Sequence, residues 1–168
     1  MSAPDPKALL KWNVKTDERG THLVLEGEID EKSQLSVVLP QVSGVVTIDT
    51  YAVRRINSVG VREWISFVQS LDSVTDLTLT RCSPAMVAQL NSVFNFRGKA
   101  NVESVTAPFF CAKCDAEQLE VVAIPRGIAD PGKLVLGRRS CTSCSGELEF
   151  DDLADRYFMF VRAMATSS

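Results

Sequence analysis

With 168 residues, 45% of them hydrophobic, the chain is long enough to bury a core, as one domain or as a domain of about 110 residues with a small appendage. Eighteen basic residues against 21 acidic ones leave a formal charge of −3, which excludes a general electrostatic attraction to DNA or anionic lipid. No apolar run approaches the roughly 20 residues that span a bilayer, and the N-terminus Met-Ser-Ala-Pro-Asp-Pro lacks the basic and apolar regions of a signal peptide, so a soluble cytoplasmic protein without membrane insertion is expected.

Residues 1–7, with two prolines, read as a poorly ordered leader. Residues 10–16 alternate loosely and residues 21–29 follow a turn at 17–20, so two strands should form a hairpin with the first at the edge. Residues 31–42 read as the first helix, with Leu35, Val38, Leu39 and Val42 on one face and Pro40 ending or kinking it. Gly44 then releases the chain into a β-branched run at 45–48, of the kind that sits between covering layers.

From Val61 onward, Val61, Trp64, Ile65, Val68 and Leu71 recur at helical spacing with one packed face, while Arg62, Glu63, Ser66, Gln69 and Ser70 occupy the others. Asn57-Ser58-Val59-Gly60 separates this helix from the strand. Asn57 or Ser58 can cap the helix through a side-chain oxygen, which leaves first-turn N–H groups directed outward and makes the loop a candidate recognition point. Residues 77–80 form the next strand. Ser83-Pro84 reads as N-cap followed by proline at the first helical position, with Met86, Val87, Leu90, Val93 and Phe94 on the buried side. Residues 102–105 begin another strand. The order ββαβαβαβ predicts an α/β fold: a mixed sheet with helices packed on it and right-handed crossovers.

The character changes at Pro108. Cys111-Ala-Lys-Cys114 and Cys141-Thr-Ser-Cys144 form two CxxC pairs with 26 residues between them. A two-residue gap places both sulfurs on one turn, so each pair can clamp one side of a tetrahedral ion, and Gly146 fits a tight knuckle where a side chain would crowd. With short strands at 119–124, 133–136 and 147–150, the segment resembles a zinc ribbon. The expected cofactor is structural Zn²⁺, closed by four thiolates with no position left for water or substrate, and a redox dithiol is the rival. Cys82 stands apart as a packed or partly exposed thiol. Residues 151–164 carry Leu153, Tyr157, Phe158, Val161 and Met164 at helical intervals, capped by Asp151 or Asp152. This final helix packs on the core, or turns its aromatic residues to a partner.

A strand ending in Asp, followed a few residues later by Ile-Asn-Ser-Val-Gly-Val opening a helix, resembles the STAS domain of anti-sigma factor antagonists, whose loop commonly reads Asp-Ser-Ser-Gly-Leu. Gly27-Glu28-Ile29-Asp30, with Ser33 and Leu35 after it, is similar to that family's Gly-Glu-Leu-Asp segment. The resemblance implies a STAS-like mixed sheet covered by helices over residues 8–107, followed by a zinc ribbon at 108–150 and a C-terminal helix and tail at 151–168.

In antagonists switched by phosphorylation, the modified Ser or Thr directly precedes the loop glycine; here that position is Val59, and Asn57 replaces the usual aspartate. Ser58 is the residue that could still carry a phosphate, bringing charge to a helix N-terminus. Losing the hydroxyl but keeping the loop suggests binding without that switch. Val59 would be the apolar contact, flanked by Arg54, Arg55 and Arg62, with Gly60 in the loop and Asp30 nearby as a partner contact or a cap. The same residues admit a structural reading, in which Asn57 and Ser58 only cap, Val59 tucks inward and the arginines are solvated.

The resemblance implies a non-catalytic module of a bacterial signalling complex whose partner is an anti-sigma factor or related ATP-binding kinase. Alternatives are an accessory subunit of an ABC-type lipid transporter and a zinc-ribbon nucleic-acid binder using Arg126, Lys133, Arg138 and Arg139. Catalysis is not expected. The single histidine, His22, lies in a strand, no Ser or Cys has a visible base, and no phosphate-binding glycine loop is present.

Overall fold

The computed structural model describes residues 9–71 and 73–166, so the expected leader lies outside the described residues. Strands β1 (Lys11–Asp17) and β2 (Gly20–Ile29) form the expected antiparallel hairpin. The Arg19 N–H donates to the Asp17 carboxylate at 2.7 Å to close its turn. Gly20, at φ 137°, admits no side chain, because a Cβ there would lie 2.2 Å from the Val45 carbonyl oxygen.

The first helix departs from expectation. Asp30 accepts the Lys32 N–H at 2.8 Å and Ser33 donates its hydroxyl to the Glu28 carbonyl at 3.3 Å, which ties 30–33 into a turn. Only Leu35–Gln41 is helical, as a 3₁₀ segment that contains Pro40. A proline inside a short helix removes a backbone donor, and the tighter 3₁₀ winding tolerates this in a brief piece. Its packed face is the one expected, with Leu35 and Val38 fully buried.

Strand β3 (Val45–Ile56) is much longer than the run at 45–48 and pairs in parallel with β2 along its length. Helix α1 (Ser58–Gln69), β4 (Asp76–Thr80), α2 (Pro84–Ser92) and β5 (Asn101–Val102) follow, giving a mixed sheet in the order β1-β2-β3-β4-β5. The parallel strands step one way across the sheet, and right-handed crossovers in one direction place their helices on a single face. Burial follows: Leu23, Ile48, Leu77 and Leu79 are shut in, while Val24 and Val45 on the opposite face remain about two-fifths exposed. The β3 run therefore has one covering layer and not the two expected of a parallel strand.

α1 packs Trp64, Phe67 and Val68 against this sheet, and Leu71 just past its C-terminus is buried as well. The Trp64 indole N–H donates to the Phe96 carbonyl at 2.9 Å and its ring stacks on Phe96. Ser83 caps α2 as expected, but Val93 is extended, so the helix stops before Phe94, which is 96% exposed and not on the buried side.

Strands β6 (Ser104–Cys111), β7 (Ala116–Ala123) and β8 (Leu148–Phe150) make a second, antiparallel sheet in the order β7-β6-β8. The change of character at Pro108 falls inside β6. Backbone bonds from Cys82 to Ser104, from Thr106 to Cys82 and from Ile124 to Glu103 tie this sheet to the first. The strand expected at 133–136 is absent. Asp130 caps a single 3₁₀ turn, Pro131–Lys133, and Val135 beyond it is 86% exposed.

The tail is two short helices, α3 (Ala154–Tyr157) and α4 (Phe160–Thr166), in place of one. Asn91 of α2 holds the break: its amide donates to the Tyr157 carbonyl at 2.9 Å and its oxygen accepts the Phe160 N–H at 2.8 Å. Phe158, Phe160 and Val161 are buried and the Tyr157 hydroxyl donates to the Thr106 carbonyl, so the tail packs on the core; Leu153, however, is 68% exposed. Leu153 itself stands at the helix N-cap, while Asp152 accepts from Leu153 and Arg156 and does not cap.

Candidate metal centre

The two CxxC segments fold alike. β6 ends at Cys111, and a turn carries the chain through Cys114 into β7; the second pair sits in the loop that leads into β8. In each, the residue after the second cysteine returns its N–H to the carbonyl of the first, Asp115 to Cys111 at 2.8 Å and Ser145 to Cys141 at 2.9 Å. Both residues take the left-handed conformation, with φ 58° and 61°. Asp tolerates that region through its short polar side chain, while Ser145 is held there by the turn itself.

The two knuckles face each other and bring the four thiols together. Cys111 and Cys144 sulfurs lie 3.5 Å apart, Cys114 and Cys141 sulfurs 3.6 Å apart, and all four ligand atoms lie within 4.8 Å of one another. A tetrahedron with metal–sulfur bonds of about 2.3 Å has edges of about 3.8 Å, so the cluster has the size that one ion requires. Gly146 completes the cradle. A Cβ there would stand 3.1 Å from both the Cys111 and Cys144 sulfurs, tighter than ordinary contact. The Ser143 and Gly146 N–H groups donate to the Cys141 and Cys144 sulfurs, each at 3.4 Å, as orienting bonds to thiolate do.

The thiols do not ionise alike. Burial opposes ionisation of Cys141, yet the Ser143 and Cys144 N–H groups and the Cys114 and Cys111 thiols bring it down to about 7. The Ala116 N–H favours a Cys114 thiolate, but bonding to the Cys144, Cys141 and Cys111 sulfurs, with some desolvation, pushes it up to about 12. Four thiols this close cannot all release protons into mutual repulsion; a cation among them removes the conflict. Cys82 takes no part. It is fully buried between β4 and α2, and burial pushes its thiol up to about 12.

The loop residues meet where β2 and β3 end, with the Asn57 backbone beside Ile29. Asn57 caps α1 by accepting the Gly60 N–H at 2.7 Å, while its amide donates to the Glu31 carboxylate at 3.0 Å and holds that group below its ordinary range. Its backbone N–H reaches the Ile29 carbonyl, so the turn that contains Asp30 is fastened to the start of α1. Ser58, Val59 and Gly60 are thus the first turn of the helix and not a free loop. Asp30 caps its own turn through Lys32. Val59 does not tuck inward: it is 41% exposed, as are Ser58, Arg54, Arg55 and Arg62 to varying degrees.

Glu31 also takes part, with no signal in the sequence beyond its place beside Asp30. Gly60, expected on the loop surface, is instead buried, and a Cβ there would lie 2.0 Å from the Ile29 carbonyl oxygen. Glycine is required because the helix start touches the end of β2.

Comparison with models of known families, with curated proteins and with solved structures finds no match to this chain.

Proposed function

We propose that the chain is a non-catalytic protein-interaction module, STAS-like in its first sheet, with Zn²⁺ held as a structural ion by Cys111, Cys114, Cys141 and Cys144. The observation that carries the docking reading is the half-exposed Val59 on the rigidly capped first turn of α1. An apolar side chain on a fixed helix start, with Arg62 one turn further along the same face and Arg54 and Arg55 on the preceding strand, suits an acidic protein partner. The order of two strands, a 3₁₀ segment and then strand, helix, strand, helix, strand, with the clasp between the Asp30 turn and Asn57, supports the STAS-like assignment, and with it a partner of the anti-sigma or kinase type.

The thiol donor set suits zinc, and four protein ligands leave no open position for chemistry. His22 lies at a half-exposed strand position, its Nε2 3.6 Å from the Asp17 carboxylate. Arg126, Arg138 and Arg139 each stand beside an acidic partner, Asp76, Glu147 and Glu120, while Lys133 is exposed, so local negative charge accompanies most of the basic residues that a phosphate would meet.

The test is affinity capture from native lysate with the wild type and Val59→Glu, with quantification of what each retains. A retained protein lost from the variant is expected, with folding stability within about 1 kcal/mol of wild type, as for an exposed substitution. Identical retention by both would place the interface elsewhere.

A further inference from the structure

The second sheet presents an outward face that neither the metal centre nor the α1 surface uses. Residues opposite one another in antiparallel strands share a face. Leu119 of β7, Pro108 of β6 and Asp151 just past β8 make one row, since Pro108 pairs with Leu119 and its carbonyl accepts the Asp151 N–H at 2.9 Å. Glu117, Phe110 and Glu149 make the next row. The opposite face is the packed one, where Phe109 and Phe150 meet with ring centroids 5.7 Å apart.

Leu119 is 47% exposed, Pro108 and Phe110 are partly exposed, and the three carboxylates stand in solvent around them. An open cavity of about 290 Å³ is lined by Pro108, Leu119, Glu117 and Asp151 of this face together with Phe109 and Gln118 of the strands between them. Among the described residues, none of these three carboxylates has an ion-pair partner; the neighbouring Arg138, Arg139 and Arg156 are engaged by Glu147, Glu120 and Asp152. The result is an apolar strip with a negative rim that no ion pair among the described residues neutralises.

We propose that this face docks an extended peptide segment in which apolar residues alternate with lysine or arginine. Glu149 and Asp151 stand two residues apart, about 6.8 Å along an extended chain, which matches the repeat of same-side residues in such a segment. Apolar side chains fill the strip and cavity, and cations meet the rim. The site lies on the second sheet, so it is independent of the α1 surface.

The probe is a fluorescein-labelled Lys-Leu-Lys-Leu-Lys-Leu-Lys peptide, titrated by anisotropy with the zinc-loaded full chain and compared with the same peptide carrying Gln for Lys. The lysine peptide binds and the glutamine peptide does not. Leu119→Ser weakens binding at least tenfold, and Glu149→Gln with Asp151→Asn weakens it about fivefold and flattens its salt dependence. Glu26→Gln with Glu28→Gln on the first sheet leaves binding unchanged. Unaltered zinc content and far-UV circular dichroism in the Leu119 variant keep a loss of binding from being a loss of fold; Leu119→Thr, which suits a strand, repeats the measurement if Ser disturbs it. Equal binding of the two peptides, indifference to both Leu119 variants, or an equal loss with the Glu26 and Glu28 pair would overturn the proposal. So would self-association abolished by Leu119→Ser in a chain that ignores the peptide, since the occupant would then be a second copy.

Discussion

Gly60→Ala should destabilise this protein, although alanine is the better helix former. At an ordinary helical position the exchange gains about 1 kcal/mol, because glycine carries the larger entropic cost. Here the added methyl would lie 2.0 Å from the Ile29 oxygen and 2.5 Å from its carbonyl carbon, and both belong to the backbone of β2. Neither can rotate away, so the first turn of α1 must retreat by more than about 1 Å to reach ordinary contact. Overpacking of this kind costs about 1–3 kcal/mol, and retreat also strains the Asn57 cap, which is worth about 1 kcal/mol. The net loss is about 2 kcal/mol, a fall in Tm of about 4–8 °C for a chain of this size. Urea unfolding of the zinc-loaded protein should show a lower midpoint at unchanged slope. Ser66→Ala, on the exposed side of the same helix, serves as the control and should be neutral or slightly stabilising. If Gly60→Ala is as stable as wild type, the contact between α1 and β2 does not explain the glycine.

At the metal centre, Cys111→Ser with Cys141→Ser should abolish zinc retention, measured by atomic emission, and loosen the second sheet while the first survives. Gly146→Ala should lower zinc affinity about tenfold by crowding two sulfurs, and retention should fall as pH falls because protons compete for the thiolates; zinc content equal to wild type in the cysteine variant would refute the site. Cys82 offers a separate check by mass spectrometry after alkylation: it should stay unmodified in the native protein and react only on unfolding. Its thiol is raised from 9.0 to about 12 by burial. The stability linked to Cys82 is therefore complete below pH 9 and declines as pH rises toward 12, and a Cys82→Ala variant should lose that alkaline slope.

The two CxxC pairs and Gly146 were legible because metal ligation by adjacent turns depends on local spacing, and the structure brings all four sulfurs within 4.8 Å. The hairpin, the βα alternation and the caps at Asn57 and Ser83 were legible for the same reason, since each depends on residues within a few positions of one another. Pro40 announced a broken helix, but only the Asp30 to Ser33 turn confined it to a 3₁₀ segment. Phe94 fitted a helical repeat that Val93 had already ended, and the split in the tail depends on Asn91, more than 60 residues away. Whether the β3 run had one covering layer or two was settled by crossovers that all step the same way. The need for glycine at position 60 came from Ile29, on another strand. Local spacing and chemistry determined the four-cysteine cluster, the caps at Asn57 and Ser83 and the succession of elements; contacts between distant segments decided which faces stayed open, because exposure belongs to the assembled layers and not to any one stretch of chain.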